Sequence, residues 1–183
     1  MKRNTKVLCE GAILIALALI LGLIRLYRLP NGGSITLSML PIILFAVRHG
    51  AAWGSMAGCV YGILDYIVGI GISIDWTTMV LDYVLANVLL GLFAGLVCGT
   101  KRSALWGTVL GVFGKFLCSY LVGVFVWGKW MPETFLGLSM TSPWFYSLLY
   151  NGLWALPDGI LIFAVFVILY RISAVERYLT RAR

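Results

Sequence analysis

The chain has 183 residues, of which 61% are hydrophobic and only 11% are charged. This composition excludes a soluble globular domain and indicates a polytopic membrane protein. The formal net charge of +7 does not indicate nucleic-acid binding, because the basic residues cluster at the ends of apolar segments. The four cysteines and the single histidine form no metal-ligand spacing, so we expect no metal, no cofactor and no catalytic residue.

Six apolar segments approach the roughly 20 residues that a membrane-spanning helix needs. They leave little chain for a soluble domain. We therefore predict an all-α protein with six transmembrane helices, built as a single integral membrane substrate-binding domain over residues 1–183. The first segment is long and no small-residue cleavage site follows it, which argues against a cleaved signal. The predicted segments are residues 7–26, 35–47, 51–72, 77–96, 105–127 and 144–170.

The first segment carries Ala12 and Ala16, four residues apart on one helical face. Small residues at this spacing allow another helix to approach closely. Two interpretations remain open: packing inside the protein, or a docking surface for a partner subunit.

The connection before the second segment contains Pro30-Asn31-Gly32-Gly33, a turn signal. The second segment is short, and Pro41 is expected to interrupt and kink it. A broken segment beside a flexible loop is compatible with a lid over a cavity.

Basic residues predict the orientation. Ten of the fourteen Lys and Arg residues fall on one side of the predicted membrane, which places both termini in the cytoplasm. No internal repeat of the kind found in inverted-repeat transporters is apparent. The ten are Lys2, Arg3, Lys6, Arg48, Lys101, Arg102, Arg171, Arg177, Arg181 and Arg183.

Polar groups from four segments are predicted to lie at one depth below the outer boundary. The helical rise places Asp82 at about 9 Å, Asn151 at roughly 10 Å and Ser119 at about 12 Å, and Asp65 at a comparable level. A shared depth favours a binding cavity open to the outside over scattered structural hydrogen bonds. Tyr146 and Asn151 pose a difficulty, because five residues correspond to about 140° around a helix.

Asp82 requires a partner in the membrane. A cationic ligand would supply one, and the neighbouring aromatic rings suit a cationic or planar ligand. The alternative is that Asp82 pairs with Lys115 or with a tyrosine hydroxyl. Lys115 and Asp158 lie nearer the midplane, where we expect them to form a structural pair rather than a proton relay.

The sequence contains no phosphate-binding loop and none of the hydrolase motifs G-x-S-x-G or H-E-x-x-H. Any use of ATP must therefore come from another polypeptide.

Over nearly its whole length, the chain resembles the thiamine-specific S-components of energy-coupling-factor vitamin transporters. The acidic-tyrosine pair and the tyrosine-to-asparagine spacing on the last segment are the most specific features. The motifs that carry the resemblance are Pro30-Asn31-Gly32-Gly33-Ser34, Met39-Leu40-Pro41-Ile42, Arg48-His49-Gly50, Leu81-Asp82-Tyr83, the segment from Lys115 to Trp127, Tyr146-Ser147-Leu148 and Asn151-Gly152.

The resemblance implies a six-helix fold in the bacterial cell membrane that binds vitamin from outside. It also implies partners: thiamine or a related cationic heterocycle, a transmembrane T-component and two ATPase subunits. Asp82 then faces the cationic part of thiamine with Tyr83 beside it, and Trp127 stacks on the ligand. Tyr146 and Asn151 are polar ligand contacts, Asn31 belongs to the lid, and Ala12 with Ala16 meets the T-component.

Two positions depart from the family pattern. Ser119 stands where the family carries a histidine, and Asp82 is one methylene shorter than the more usual glutamate. We keep Ser119 among the expected ligand-binding residues. The alternatives are an S-component for a thiamine precursor or another vitamin, a small membrane enzyme using Asp65 or Asp82, and a structural membrane subunit.

Overall fold

The computed structural model describes residues 3–29, 33–69, 73, 75–99, 102–172 and 177–178. Within these residues, six main helices follow one another along the chain, which confirms the predicted all-α membrane fold. Their bounds are α1 Arg3–Leu23, α2 Met39–His49, α3 Ala51–Val68, α4 Trp76–Gly95, α5 Ser103–Phe125 and α6 Pro143–Leu169.

Two connections contain short antiparallel strand pairs, which the sequence did not predict. Between α1 and α2, β1 (Tyr27–Arg28) pairs with β2 (Ser34–Ile35). Between α5 and α6, β3 (Thr134–Phe135) pairs with β4 (Leu138–Ser139). The predicted lid residue Asn31 lies outside the described residues.

Five of the six helices are long and apolar enough to cross a membrane. The exception is α2, whose 11 residues rise only about 16 Å against a hydrocarbon core of about 30 Å. Seven of its residues are buried, so neighbouring helices enclose it. Around this enclosed helix, the core joins α2 to α4 and α6 through residues such as Ile43, Leu90 and Ile162.

The expected kink at Pro41 is wrong. Pro41 is the third residue of α2, and an N–H in the first turn has no partner within its own helix. The missing donor therefore removes no helical hydrogen bond, and α2 continues to His49.

The first half of α4 departs from regular α-helical geometry. Met79–Leu85 forms a π-helical stretch, and the N–H of Ala86 donates to the carbonyl of Leu81, five residues earlier. Such stretches are rare and often occur at functional sites. This one carries Asp82 and Tyr83.

Glycines allow α3 and α4 to approach almost backbone to backbone. A Cβ added at Gly58 would lie 2.0 Å from the carbonyl oxygen of Asn87, and one at Gly62 would lie 2.2 Å from that of Tyr83. Gly54 faces Gly91 in the same way, at 2.4 Å. Small residues four apart are the usual means of close helix packing in lipid, so this contact fixes the π-helical stretch against α3.

We predict that Gly58→Ala lowers the thermal unfolding midpoint in detergent, because the new methyl group overlaps the Asn87 carbonyl and overpacking costs about 1–3 kcal/mol. The matched control is Gly152→Ala on α6, where an added Cβ meets nothing within 4 Å. That control should be neutral or stabilising, since alanine favours helix more than glycine. Equal midpoints for the two variants would contradict the packing argument.

Candidate ligand-binding site

A cavity of about 560 Å³ lies between the helices, towards the end of the bundle where α1 ends and α6 begins. Its walls come from α1, α3, α4, α5 and α6, together with the residues that precede α2. Six of the side chains predicted as ligand-binding line it: Asp82, Tyr83, Ser119, Trp127, Tyr146 and Asn151. The structure thus brings together residues that are up to 69 positions apart in the chain.

Asp82 accepts a hydrogen bond from the indole N–H of Trp127, with 2.7 Å between Oδ2 and Nε1. Trp127 lies not at the end of α5, as predicted, but in a 3₁₀ turn over Trp127–Trp130 that follows it. This turn directs the indole back towards α4. The hydrogen-bond partner that the structure shows for Asp82 is thus Trp127, which was not among the partners expected within the protein.

Two side-chain contacts hold the π-helical stretch and the turn that follows it. Asn87 donates through Nδ2 to the carbonyl oxygen of Tyr83 at 2.7 Å. The ring of Tyr83 packs edge-on against Tyr66 of α3, with 5.2 Å between centroids. Asp82 and Tyr83 therefore lie on a segment whose backbone and side chains are both fixed by neighbours.

The angular difficulty between Tyr146 and Asn151 is resolved by the width of the cavity-facing side of α6. Tyr150 and Trp154 also line the cavity, and at 100° per residue they fall at about 40° and 80° from Tyr146, between it and Asn151. The helix thus presents an arc of roughly 140° to the cavity rather than a narrow stripe.

The amide of Asn151 is largely engaged by the protein itself. It donates to the carbonyl oxygen of Ser147 at 2.9 Å and accepts from the indole N–H of Trp154 at 3.1 Å. Asn151 therefore orients Trp154, a cavity residue that the sequence reasoning did not select. Its predicted role as a ligand contact stays a prediction.

Lys115 and Asp158 do not form the structural pair that we expected. Lys115 donates to Oδ1 of Asn87 at 3.0 Å, and its ammonium lies 5.6 Å from the ring centre of Trp154. Asp158 instead accepts from the backbone N–H of Thr36 at 2.8 Å. Backbone N–H groups of the non-helical residues before α2 have no partner within a helix. Asp158 supplies an acceptor for the N–H of Thr36.

The lining has an uneven charge distribution. Three carboxylates (Asp65, Asp82 and Asp158) share the cavity with Lys115 and with Arg25, which also donates to the carbonyl oxygen of Gly69 at 2.8 Å. At formal charges this inner set carries one net negative charge. Arg28, also in the lining, lies at the exposed rim, where water screens its charge. In the ranges that the structure describes, no group of His, Cys, Asp and Glu could hold a metal ion.

Several lining residues were missed although the sequence held a signal for them. Tyr146, Tyr150 and Trp154 follow one another at intervals of four, as do Tyr61 and Asp65. This spacing places each set along one helical face. Aromatic residues near a membrane boundary are common, however, so the spacing alone did not separate ligand contacts from a boundary belt.

Ala12 and Ala16 lie away from the cavity, on the outward side of α1. Both are exposed, whereas Leu14 and Ala18 on the same helix are buried. The interpretation as internal packing is therefore contradicted for these two residues, and an outward-facing small-residue surface remains.

Comparisons with known proteins agree in fold and family. A family model described as thiamine transporter protein matches residues 8–177. The thiamine transporter ThiT of Lacticaseibacillus paracasei is 30% identical over 182 residues, covering 91% of this chain and 88% of that protein. ThiT of Bacillus subtilis is 29% identical over 177 residues, with 89% of each covered. A solved structure of ThiT from Listeria monocytogenes shares the fold, with a TM-score of 0.81 at 22% identity, covering 96% of this chain and 99% of that one.

We predict that Lys115→Met destabilises the protein strongly, because it leaves the cavity carboxylates without their buried ammonium. The hydrogen bond from Lys115 to Asn87 is lost as well, and a hydrogen bond to a charged group contributes about 1.5–3 kcal/mol. The double variant Lys115→Met/Asp65→Asn should recover part of the loss, since it also removes the charge of one of the cavity carboxylates. Thermal unfolding in detergent measures both effects. The control is Lys129→Met, at an exposed position. Equal thermal unfolding midpoints for Lys115→Met and Lys129→Met would contradict this account.

Proposed function

The chain belongs to the thiamine transporter protein family, and on that basis we propose that it is a substrate-binding S-component that captures thiamine for ATP-driven uptake. It is a multi-pass bacterial membrane protein. The whole chain, residues 1–183, serves as one substrate-binding domain. Its relatives are named as transporters, and this sequence has no ATPase motif. We assign ATP hydrolysis to two separate subunits that act through a transmembrane T-component, as the family resemblance implies.

The observation that carries the proposal is Asp82, held by Trp127 inside a cavity with tyrosine and tryptophan walls. A carboxylate enclosed at membrane depth attracts a cation, and aromatic faces attract cationic, planar rings. Thiamine has both properties, because its thiazolium ring carries a fixed positive charge. Tyr83 and Tyr146 offer rings and hydroxyl groups to the remainder of the ligand.

The charge balance of the cavity also supports a ligand with one positive charge. The inner carboxylates exceed the inner cations by one at formal charges, as counted above. A single cation neutralises that excess, whereas a neutral ligand leaves it uncompensated in a region of low dielectric. This argument applies equally to thiamine and to a precursor that retains the cationic ring.

We place both termini in the cytoplasm, because the basic residues concentrate at that end of the bundle. The cavity then opens to the outside, as uptake requires. The exposed pair Ala12 and Ala16 is the surface we assign to the T-component, since small residues allow close helix contact without a hydrophobic driving force. Asn31, Ser119 and Asn151 remain proposed ligand-binding residues.

The first test is a titration of the purified protein with thiamine, followed by tryptophan fluorescence. Trp127, Trp130 and Trp154 line the cavity, so a bound aromatic ligand should quench the emission saturably. We expect Asp82→Asn to weaken binding by roughly tenfold to a hundredfold, the range for a hydrogen bond or contact with a charged group.

Glu133→Gln is the control for that variant, because Glu133 is exposed and does not line the cavity. It should bind thiamine like the unmodified protein. A saturable response to a different vitamin, with none to thiamine, would reassign the ligand. Unchanged affinity in Asp82→Asn would remove Asp82 from the site.

We further predict that Ala12→Trp abolishes thiamine uptake in cells that supply the partner subunits, while thiamine binding by the purified variant is unaffected. The indole would prevent another helix from approaching α1. Ile160→Trp on α6 is the matched control, because Ile160 is 68% exposed and lies on a different helix. Normal uptake by Ala12→Trp would show that the partner does not dock there.

A further inference from the structure

A cluster of charged and polar side chains lies at the opposite end of the bundle from the cavity. It consists of Glu10 on α1, Arg48 and His49 at the end of α2, and Tyr178 beyond α6, and we name these four residues the Glu10 clasp. Oε1 of Glu10 lies 3.0 Å from Nε of Arg48 and 3.2 Å from Nε2 of His49. The hydroxyl of Tyr178 donates to the same oxygen.

Arg48 connects the clasp in two further ways. It donates through Nη1 to the backbone carbonyl of Tyr178, and its guanidinium carbon lies 3.5 Å from the centre of the Tyr178 ring. The clasp therefore joins three parts of the chain that are far apart in sequence: the first helix, the end of the second and the C-terminal segment.

These contacts are shielded enough to matter energetically. The side chains of Glu10, Arg48 and His49 are only 23%, 18% and 10% exposed. Nε of Arg48 and Nε2 of His49 lie at ion-pair distance from Glu10 without hydrogen-bond geometry, so the hydrogen bond on the Glu10 carboxylate is the one from Tyr178. Charge-assisted hydrogen bonds are stronger than neutral ones, and partly buried ion pairs are screened less than exposed pairs. Burial and the adjacent Glu10 carboxylate raise the pKa of Tyr178 above its ordinary value, so its hydroxyl remains a donor.

The position of α1 depends on such contacts. Helix association in lipid lacks a hydrophobic driving force, and α1 packs mainly on α2 and α3. Below the clasp, Gly11 fits against the ring of Phe45, where an added Cβ would lie 3.1 Å from Cζ. Phe45 in turn packs against His49 with the two rings tilted by 50°, and 4.7 Å separates the ring centres. Glu10 and its partners therefore fix the first half of α1, which carries Ala12 and is followed one turn later by Ala16.

We propose that Glu10 is a positioning residue for partner docking. The Glu10 clasp holds the first half of α1 against α2 and the C-terminal segment, so that the face bearing Ala12 and Ala16 meets the transmembrane partner in one orientation. This inference rests on the proposed function. To that function it adds a group of polar contacts that lies outside both the cavity and the docking face. Productive docking depends on these contacts.

The test uses Glu10→Gln, which keeps the shape of the side chain but removes its charge, and Tyr178→Phe, which removes only the hydroxyl. The controls are Glu133→Gln and Tyr27→Phe, both at exposed positions outside the cavity lining. Three quantities are measured for each protein: thiamine affinity after purification, amide hydrogen exchange along α1, and thiamine uptake in cells with the partner subunits.

We expect thiamine affinity to stay within about twofold in both clasp variants, because the clasp lies at the far end of α1 from the cavity. Exchange in α1 should accelerate and uptake should fall, each by about tenfold, the factor expected from losing one charge-assisted hydrogen bond. The controls should match the unmodified protein. If Glu10→Gln does not accumulate in the membrane, Tyr178→Phe carries the same comparison.

Two outcomes would overturn the inference: unchanged exchange in α1, or faster exchange with normal uptake. The second outcome would leave the clasp as a stabilising contact only. Failure of the unmodified protein to bind thiamine would instead overturn the proposed function, so the two failures are distinguishable.

Discussion

The close approach of α3 and α4 is the contact on which the rest of the structure depends. Gly54, Gly58 and Gly62 leave no space for side chains between the two backbones. Apolar side chains alone provide little driving force between helices in lipid, and close packing of small residues takes their place. The π-helical stretch of α4 is held against this surface, and it presents Asp82 and Tyr83 to the cavity from a rigid wall.

The cavity is organised before a ligand enters, because hydrogen bonds within the protein already hold several of its side chains. Asp82 is held by Trp127, Lys115 by Asn87, and Asn151 is hydrogen bonded to Trp154. Side chains held by neighbours lose less conformational entropy on binding, which favours affinity. The same contacts satisfy polar groups at membrane depth, so they contribute both to stability and to recognition.

Much of this arrangement follows from local sequence. The apolar segments predicted six membrane-spanning helices, and most of the observed helix ends lie within a few residues of the predicted ones. Five of these helices are long enough to span a membrane, and the second is shorter. The polar residues Asp65, Asp82, Ser119 and Asn151 were expected at one depth, and the structure places them in one cavity. Depth is predictable because it depends only on helical rise and on where each segment begins.

The sequence by itself thus determined the class of fold and the common level of the polar groups, since each depends on composition and spacing within one segment. Only the tertiary structure decided which residues hydrogen-bond to one another. Asp158 bonds to Thr36 rather than to Lys115, and Glu10 meets Tyr178 across 168 positions. Such pairings depend on how each helix is rotated towards its neighbours, and packing between helices, not spacing within one, fixes that rotation.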